Sequence, residues 1–170
     1  DDHTIHDFIN AFLGSPEIYG SFKTPDHSIN YVTCHDGFTL RDLVSYNHKH
    51  NFENGENNQD GLNDNFSRNW GAEGETADTR INQLRLRQVK NLLSVLMLAQ
   101  GVPMLYSGDE VYRTQKGNNN AYCQDVLWNW FDWDAISRHA DLLEFTRNLI
   151  RFRKHHPILR QNRYLKSFDF

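Results

Sequence analysis

Cysteine is scarce in this chain, and long apolar runs are missing from it. Cys34 and Cys123 are the only cysteines among 170 residues, too few for the disulfide scaffold that stabilises small secreted domains. No stretch approaches the ~18–20 consecutive apolar residues that a membrane-spanning helix needs. The sequence begins Asp-Asp-His, which is unlike a signal peptide. We therefore expect a cytoplasmic protein with reduced thiols.

An excess of positive charge is also missing. Lys and Arg number 18 against 22 Asp and Glu, for a net charge of −4, which gives no electrostatic basis for binding nucleic acid or an anionic membrane. Only 38% of the residues are hydrophobic, below the ~45–50% typical of globular proteins, a range that also counts glycine. Aromatic residues make up 13%, so a core must rely on Phe, Tyr and Trp.

Helical and extended patterns alternate along the chain. Apolar residues at helical spacing predict helices at residues 5–13, 78–100 and 140–155. Residues 39–46 could form a short helix that Thr39 caps. β-Branched and apolar runs predict strands over residues 28–34 and 102–106. Such alternation favours parallel strands joined by helices, and two parallel strands cannot bury both faces, so the pattern predicts a slice of a larger α/β sheet.

Ionisable residues follow each predicted strand at its C-terminal end. His35 and Asp36 come after the first strand, and Asp109 and Glu110 come after the second. Long loops rich in Asn, Gly and Asp follow them, at residues 47–74 and 113–125. In β/α barrels, active sites lie at the C-terminal strand ends and in the loops that follow. By itself, a His-Asp pair is more often a loop ion pair, and Asp109-Glu110 is as typical of a helix cap as of a ligand contact.

Several runs of residues resemble the motifs of a known enzyme family. The run Tyr-Val-Thr-Cys-His-Asp at residues 31–36 resembles the last catalytic motif of the α-amylase superfamily of glycoside hydrolases. Gly-Val-Pro-Met-Leu-Tyr-Ser-Gly-Asp-Glu at residues 101–110 resembles the motif on the eighth barrel strand of that superfamily. Similarity to isoamylase-type glycogen debranching enzymes is found at residues 36–51, 54–57 and 117–125. The resemblance covers nearly the whole chain, in the order of the family.

The resemblance implies an α/β fold that is a partial β/α (TIM-type) barrel, about the last two β/α units plus a preceding helix. Residues 1–160 would be the C-terminal portion of the catalytic domain, and residues 161–170 would begin a following segment or β domain. Such enzymes hydrolyse α-1,6-glucosidic branch linkages with retention, using an Asp nucleophile and a Glu acid/base roughly 5–5.5 Å apart. In the family these two lie on the fourth and fifth barrel strands. Both are expected upstream of this chain, which is therefore expected to be inactive alone.

The resemblance also implies roles for individual residues. Asp36 would stabilise the transition state by holding hydroxyls of the sugar at the cleavage point, and His35 would donate a hydrogen bond to the same sugar. Candidates for substrate binding are Asp109, Glu110, Asn119, Asn120, Tyr122 and Asp125. Of these, Asp109 and Glu110 would mainly orient loops, and the others would match sugar hydroxyls. Neither an organic cofactor nor a metal is implied, and the partners would be glycogen or a branched α-glucan and the N-terminal part of the barrel.

Other interpretations stay open. The chain could be a noncatalytic glucan-binding module whose Asn-rich loops hold glucan, or a structural piece whose unpaired strand edges self-associate. Pullulanase-like and trehalose-forming specificities stand beside debranching, which the loop at residues 47–74 favours. His48 and His50 lack the spacing of a zinc site, and residues 57–64 lack the EF-hand spacing for calcium. The tryptophan-rich segment at residues 128–133 is more typical of packing than of a carbohydrate platform.

Overall fold

A computed structural model describes residues 2–20 and 22–165 of the chain. The longer helices are α1 (Asp2–Phe12), α4 (Thr79–Leu98) and α6 (Ala140–His155). The short helices are α2 (Pro16–Tyr19), α3 (Leu40–Leu43) and α5 (Ala135–Arg138). The strands are β1 (Ile29–Asn30) and β2 (Val102–Pro103). Single 3₁₀ turns lie at Pro25–His27, Phe52–Asn54, Asp109–Val111, Ala121–Cys123 and Pro157–Arg160. The predicted segment at residues 161–170 is described only as far as residue 165.

The three long helices predicted from apolar spacing are confirmed, each within a few residues of the predicted bounds. Gly14 ends the first helical segment with φ +81°, a left-handed conformation that glycine adopts without steric cost. The last helix stops before Pro157, because proline disfavours helical geometry in the residue before it. None of the helices in the described residues is long and apolar enough to cross a membrane.

The chain forms two compact units. Unit 1 comprises the residues up to Tyr31, Leu93–Met104 and the residues from Arg147 onward. Unit 2 comprises Val32–Leu92 and Leu105–Thr146. Every sequence-predicted site residue lies in unit 2, so the geometry of the candidate site is described within that unit alone.

Unit 1 contains the two strands, and the predicted parallel pairing is confirmed, with Ile29 opposite Val102 and Asn30 opposite Pro103. The amide of Val102 donates to the carbonyl of Ser28, and the amide of Met104 donates to that of Asn30, each at 2.8 Å. Pro103 lies between these donors, at a position where its missing N–H costs no ladder bond.

Both strands are shorter than the predicted runs of residues 28–34 and 102–106. Regular strand structure requires a neighbouring backbone to bond with. After Asn30, hydrogen bonding changes from backbone partners to side chains, and Thr33 is held by the carboxylate of Asp109. The predicted strand therefore passes directly into the loop that carries His35 and Asp36.

A buried arginine completes unit 1. The guanidinium of Arg153 donates to the carbonyls of Met97 at 2.8 Å, Ala99 at 2.6 Å and Gly101 at 2.5 Å. These carbonyls lie in the last turn of α4 and in the residues just after it, where the helix itself leaves acceptors unpaired. Arg153 thus caps α4 and fixes the turn that leads into β2.

Unit 2 has a small apolar core beneath its loops. The buried apolar side chains there include Phe38, Leu40, Val44, Val89, Val111 and Leu142. Tyr46, also buried, contacts the ring of Phe38 with 6.1 Å between centroids. This core supports α3 and the loop before it, which together carry the candidate site.

Candidate functional site

His35 and Asp36 lie on an exposed loop between β1 and α3. Their side chains are 85% and 74% exposed, and the closest approach between His35 Nε2 and Asp36 Oδ2 is 3.8 Å. An ion pair this exposed contributes little to stability. The pair is thus available for contact with a ligand, and what fixes it in space is the backbone around it.

Asp109 holds the two ends of this loop together. One carboxylate oxygen accepts a hydrogen bond from the hydroxyl of Thr33, before the loop, and the other accepts from the amide of Leu40, after it, at 2.9 Å. Asp109 is only 2% exposed. Its burial raises the pKa of the carboxyl to about 6, against the lowering effect of those two hydrogen bonds. Asp109 therefore closes the His35–Asp36 loop from inside and does not face solvent.

Asn119 holds the middle of the same loop. The amide of Gly37 donates to the carbonyl of Asn119 at 3.0 Å. Gly37 has φ +90°, which a side chain would disfavour. The backbone after Asp36 is therefore pinned at a glycine, in a conformation that turns the chain back toward α3.

Asn119 is fixed in turn by Asn51, and both asparagines are buried. The amide of Asn119 donates to Asn51 Oδ1 at 3.0 Å, and Asn51 Nδ2 donates to Asn119 Oδ1 at 2.8 Å. Asn119 Nδ2 donates to the carbonyl of Leu62 at 2.8 Å and to Asn65 Oδ1 at 2.7 Å. The side chain of Asn119, predicted as a sugar contact, therefore has its donors and acceptor engaged within the chain.

Asn120 and Asn54 meet on the carboxylate of Asp60. Asn120 Nδ2 donates to Asp60 Oδ2 at 2.9 Å, and Asn54 Nδ2 donates to the same oxygen at 2.7 Å. Asn54 also donates to the carbonyl of Asn120 at 2.9 Å. The other oxygen, Asp60 Oδ1, is buried and accepts no hydrogen bond from the described residues. These bonds join the two polar loops, at residues 47–74 and 113–125, into one scaffold.

The remaining predicted site residues differ in their surroundings. Tyr122 is exposed. Asp125 accepts a hydrogen bond from the indole of Trp130 at 2.9 Å. Glu110 accepts from the amide of Gly108 at 2.9 Å and so closes its own turn. Tyr122 therefore presents an exposed side chain, as His35 and Asp36 do.

Asp42 is a buried residue of this region whose role the sequence did not reveal. The prediction that Thr39 caps α3 is confirmed, because its side chain accepts from the amide of Asp42. The Asp42 side chain accepts from the hydroxyl of Thr114 and from the amide of Gln115 at 2.7 Å. Burial raises the pKa of Asp42, although these hydrogen bonds oppose the shift. Asp42 thus anchors the loop at residues 113–125 to α3.

Arg85, on α4, holds the end of the other polar loop. Its buried guanidinium donates to the carbonyls of Gly74 at 2.6 Å, Asn69 at 2.7 Å and Ser45 at 3.3 Å, and also to that of Ala72. Burial lowers the pKa of Arg85. A sequence signal for this burial existed: Arg85 continues the i, i+4 series of Ile81 and Val89 on the apolar stripe of α4.

Glu73 binds the start of the same loop. Its carboxylate accepts from the amides of Asn47 at 2.9 Å and His48 at 3.0 Å, from Asn69 Nδ2 at 2.9 Å and from His50 Nε2 at 3.0 Å. Desolvation raises the pKa of Glu73, but these hydrogen bonds outweigh it and hold the pKa at about 2. His50, one of the two histidines considered for a metal, is thereby engaged with a carboxylate of its own loop.

Comparison with known proteins gives clear sequence relatives. No protein-family model matches the chain. A Mycobacterium tuberculosis protein named glycogen operon protein GlgX homolog is 49% identical over 165 residues, covering 96% of this chain and 23% of the relative. A glycogen debranching enzyme of Erwinia tasmaniensis is 47% identical over 171 residues, covering 99% of this chain and 25% of the relative. Isoamylase 1, chloroplastic, of Arabidopsis thaliana is 50% identical over 147 residues, covering 86% and 19%.

The solved structures that resemble this chain include pullulanases. Pullulanase from Anoxybacillus sp. LM18-11, complexed with maltotetraose, matches with a TM-score of 0.64 and 29% identity, covering 95% of this chain and 19% of that one. Pullulanase from Bacillus acidopullulyticus matches with a TM-score of 0.63 and 27% identity, covering 92% and 15%. The chain spans about a quarter or less of the length of these curated relatives and solved structures.

Proposed function

We propose that this chain, which is related to the isoamylase-type glycogen debranching enzymes of the α-amylase superfamily, is the C-terminal part of their catalytic barrel. Residues 1–160 would supply about the last two β/α units and a preceding helix, and residues 161–170 would begin the next segment. The whole enzyme would cleave α-1,6-glucosidic branch linkages of glycogen or a related glucan with retention of configuration. Sequence identity of 47–50% to debranching enzymes and isoamylases supports this proposal.

The observation that carries the proposal is the combination of exposed side chains and a fixed backbone at His35 and Asp36. Both side chains face solvent, while Asp109 and Asn119 pin the loop at its ends and middle. Preorganised groups of this kind stabilise a transition state without reorganising during the reaction. In our proposal, Asp36 accepts hydrogen bonds from hydroxyls of the sugar at the cleavage point, and His35 donates one to the same sugar. Bonds to these hydroxyls strengthen as the ring approaches the oxocarbenium-like transition state.

The nucleophile Asp and the acid/base Glu would come from the N-terminal part of the barrel, which we propose as the partner of this chain. Exposed apolar residues in and beside both strands support this, namely Ile29, Tyr31, Val102 and Met104. In a completed parallel sheet such residues are covered by neighbouring strands and helices. We propose that neighbouring β/α units cover them in the whole enzyme, which we place in the cytoplasm.

The test is reducing-sugar release from amylopectin. We expect no release by the folded chain alone, and release once the chain replaces the matching 171-residue segment in the Erwinia tasmaniensis relative, as a fusion with the rest of that protein. In that fusion, Asp36→Asn should lower kcat by about 10²–10³-fold, as removal of a transition-state hydrogen-bonding group does. Asp64→Asn is the matched control and should leave kcat unchanged, because it changes an exposed carboxylate in the loop at residues 47–74.

Two results would contradict the proposal. Activity of the chain alone, well above a heat-inactivated sample, would place the catalytic carboxylates within these residues. Full activity of the fusion carrying Asp36→Asn would remove the proposed role of that carboxylate. Retention is checked separately by NMR of the first-formed anomer, which should be the α-anomer.

A further inference from the structure

Asn54 and Gly55 form the one Asn-Gly pair in the sequence. Asparagine is thermolabile, and a glycine that follows it leaves the next backbone nitrogen unhindered because glycine has no side chain. In such a pair, that nitrogen attacks the side-chain carbonyl carbon of the asparagine, and its proton leaves with the departing ammonia. Water then opens the resulting succinimide at either C–N bond and leaves aspartate or isoaspartate. Gly55 is exposed, so water reaches this pair.

The side chain of Asn54 is held at both of its polar atoms. Its Nδ2 donates to Asp60 Oδ2 at 2.7 Å and to the carbonyl of Asn120 at 2.9 Å. Its Oδ1 accepts from Asn118 Nδ2 at 2.7 Å and from Gln124 Nε2 at 2.8 Å. Cyclisation turns the carbonyl carbon toward the next backbone nitrogen and releases Nδ2 as ammonia. Both movements require these hydrogen bonds to break first.

The backbone of the pair is held more weakly. The amide of Gly55 donates to the carbonyl of Phe52 at 3.2 Å and so closes the single 3₁₀ turn Phe52–Asn54. Hydrogen-bond geometry in such turns is poor, and short exposed segments open locally at small cost in free energy. Opening of the turn frees the Gly55 nitrogen, whereas the Asn54 side chain is still held by Asp60 and by the loop at residues 113–125. The side-chain hydrogen bonds are therefore the main obstacle to cyclisation.

We propose that Asn54 is a latent modification site, which its hydrogen bonds to Asp60, Asn118 and Gln124 protect and which converts to aspartate or isoaspartate when these bonds open. The reaction consumes one water molecule, releases ammonia and needs no enzyme. This inference is independent of the proposed debranching function, because it rests only on the Asn-Gly pair and the contacts that hold it.

The modification sets two carboxylates against each other. Desolvation raises the pKa of Asp60, but hydrogen bonds from Asn54 and Asn120 outweigh it and lower the pKa, so Asp60 is charged at neutral pH. Its Oδ1 is buried and accepts no hydrogen bond from the described residues, and the attraction of Lys49 is weaker than those two hydrogen bonds. A new carboxylate at position 54 therefore meets repulsion from Asp60. Since Asn54 joins the loops at residues 47–74 and 113–125, its modification loosens their connection.

The test follows deamidation of the chain in mildly alkaline buffer, by mass spectrometry of the peptide that contains residue 54. Asp60→Ala removes the charged acceptor and should speed deamidation at least about tenfold, and Gln124→Ala removes one neutral donor and should speed it about fivefold. Asp64→Ala is the matched control, because Asp64 is an exposed carboxylate of the same loop, and it should keep the wild-type rate. Adding Gly55→Ala to Asp60→Ala should slow the reaction again, since the methyl group hinders the attacking nitrogen.

Circular dichroism checks that each variant is folded, and Gln124→Ala decides the question if Asp60→Ala is not. Equal deamidation rates in the wild type and the folded variants would overturn the proposal. A folded wild type that deamidates as fast as the chain unfolded in urea would also overturn it, because the hydrogen bonds would then give no protection. So would modification that is found only away from Asn54.

The structural consequence is checked with Asn54→Asp, which mimics one product. This variant should have a lower thermal midpoint than the wild type. Adding Asp60→Asn exchanges the amide and the carboxylate between the two positions and should restore part of the loss. An unchanged midpoint in Asn54→Asp would refute the predicted loosening of the two loops.

Discussion

The carboxylate of Asp109 offers a direct test of how the His35–Asp36 loop is held. Asp109→Asn keeps the size and shape of the side chain. The asparagine Oδ1 can still accept from the amide of Leu40, and its Nδ2 can donate to the hydroxyl of Thr33 if that hydroxyl turns to become the acceptor. The substitution therefore removes the buried charge while leaving both ends of the loop connected.

The expected change in unfolding free energy follows from the pKa of the buried Asp109 carboxyl. Burial raises the pKa of Asp109 from 3.8 to about 6, roughly two units at ~1.4 kcal/mol each, or about 3 kcal/mol. Because the folded pKa is raised, this stabilising contribution is fully present below the unfolded pKa of 3.8. It is lost as the pH rises through 6. Asparagine does not titrate, so the variant lacks this loss.

The assay is urea denaturation of the wild type and of Asp109→Asn at several pH values between 4 and 7.5. The unfolding free energy of the variant minus that of the wild type should rise across this range by up to about 3 kcal/mol. Other titrating groups are common to both proteins and cancel in the difference. A difference that stays constant with pH would refute the assignment of a buried, charged Asp109.

Asp109→Ala is the control that separates the charge from the hydrogen bonds. It also removes the charge, but it leaves the buried amide of Leu40 without its acceptor, which costs about 1–3 kcal/mol. We therefore expect Asp109→Ala to be less stable than Asp109→Asn at every pH. Equal stability of the two variants would show that the connection between Asp109 and Leu40 contributes nothing.

Three further substitutions test the scaffold around the site. Arg85→Met leaves four carbonyl acceptors without their donor. It should lower the unfolding free energy measured in urea by at least about 3 kcal/mol, and a loss below about 1 kcal/mol would contradict this. Glu73→Gln should lower stability at neutral pH. Because the folded pKa of Glu73 is depressed to about 2, its contribution is present above 4.5 and lost as the pH falls toward 2, so the denaturation curves of variant and wild type should converge in acid. Gly61→Ala places a methyl group against the buried asparagine pair, whereas Gly55→Ala meets open space at a similar positive φ. The thermal midpoint should fall further for Gly61→Ala, and equal falls would show that only backbone strain matters.

The sequence predicted the elements of the fold whose signal is periodic. The stripe on α4 and the apolar face of α6 specify helices wherever they pack, and the parallel pairing followed from the alternation of elements. The strands were predicted too long because a strand is defined by its backbone neighbours. The run at residues 28–34 has the composition of a strand, but only Ile29–Asn30 has a ladder partner.

The candidate site was predicted in part. The position of His35 and Asp36 after a strand, together with the surrounding motif, indicated which side chains the loop presents. What supports that loop could not be read, because the partners of Asp109, at Thr33 and Leu40, lie about 70 residues away in the chain. Asp42 was missed for the same reason, since its partner loop begins more than 70 residues later.

The richness of the polar loops in asparagine has a structural explanation that bears on function. An amide carries both donors and acceptors without a charge, so Asn51 and Asn119 can satisfy one another and nearby backbone while buried. Asparagine also tolerates the left-handed region, which Asn58 occupies at φ +61° while accepting from the amide of Asn51. A loop built this way can hold one conformation with little apolar burial. Its asparagines therefore position the backbone that meets Gly37, and in our proposal contact with sugar falls to the side chains left exposed at His35 and Asp36.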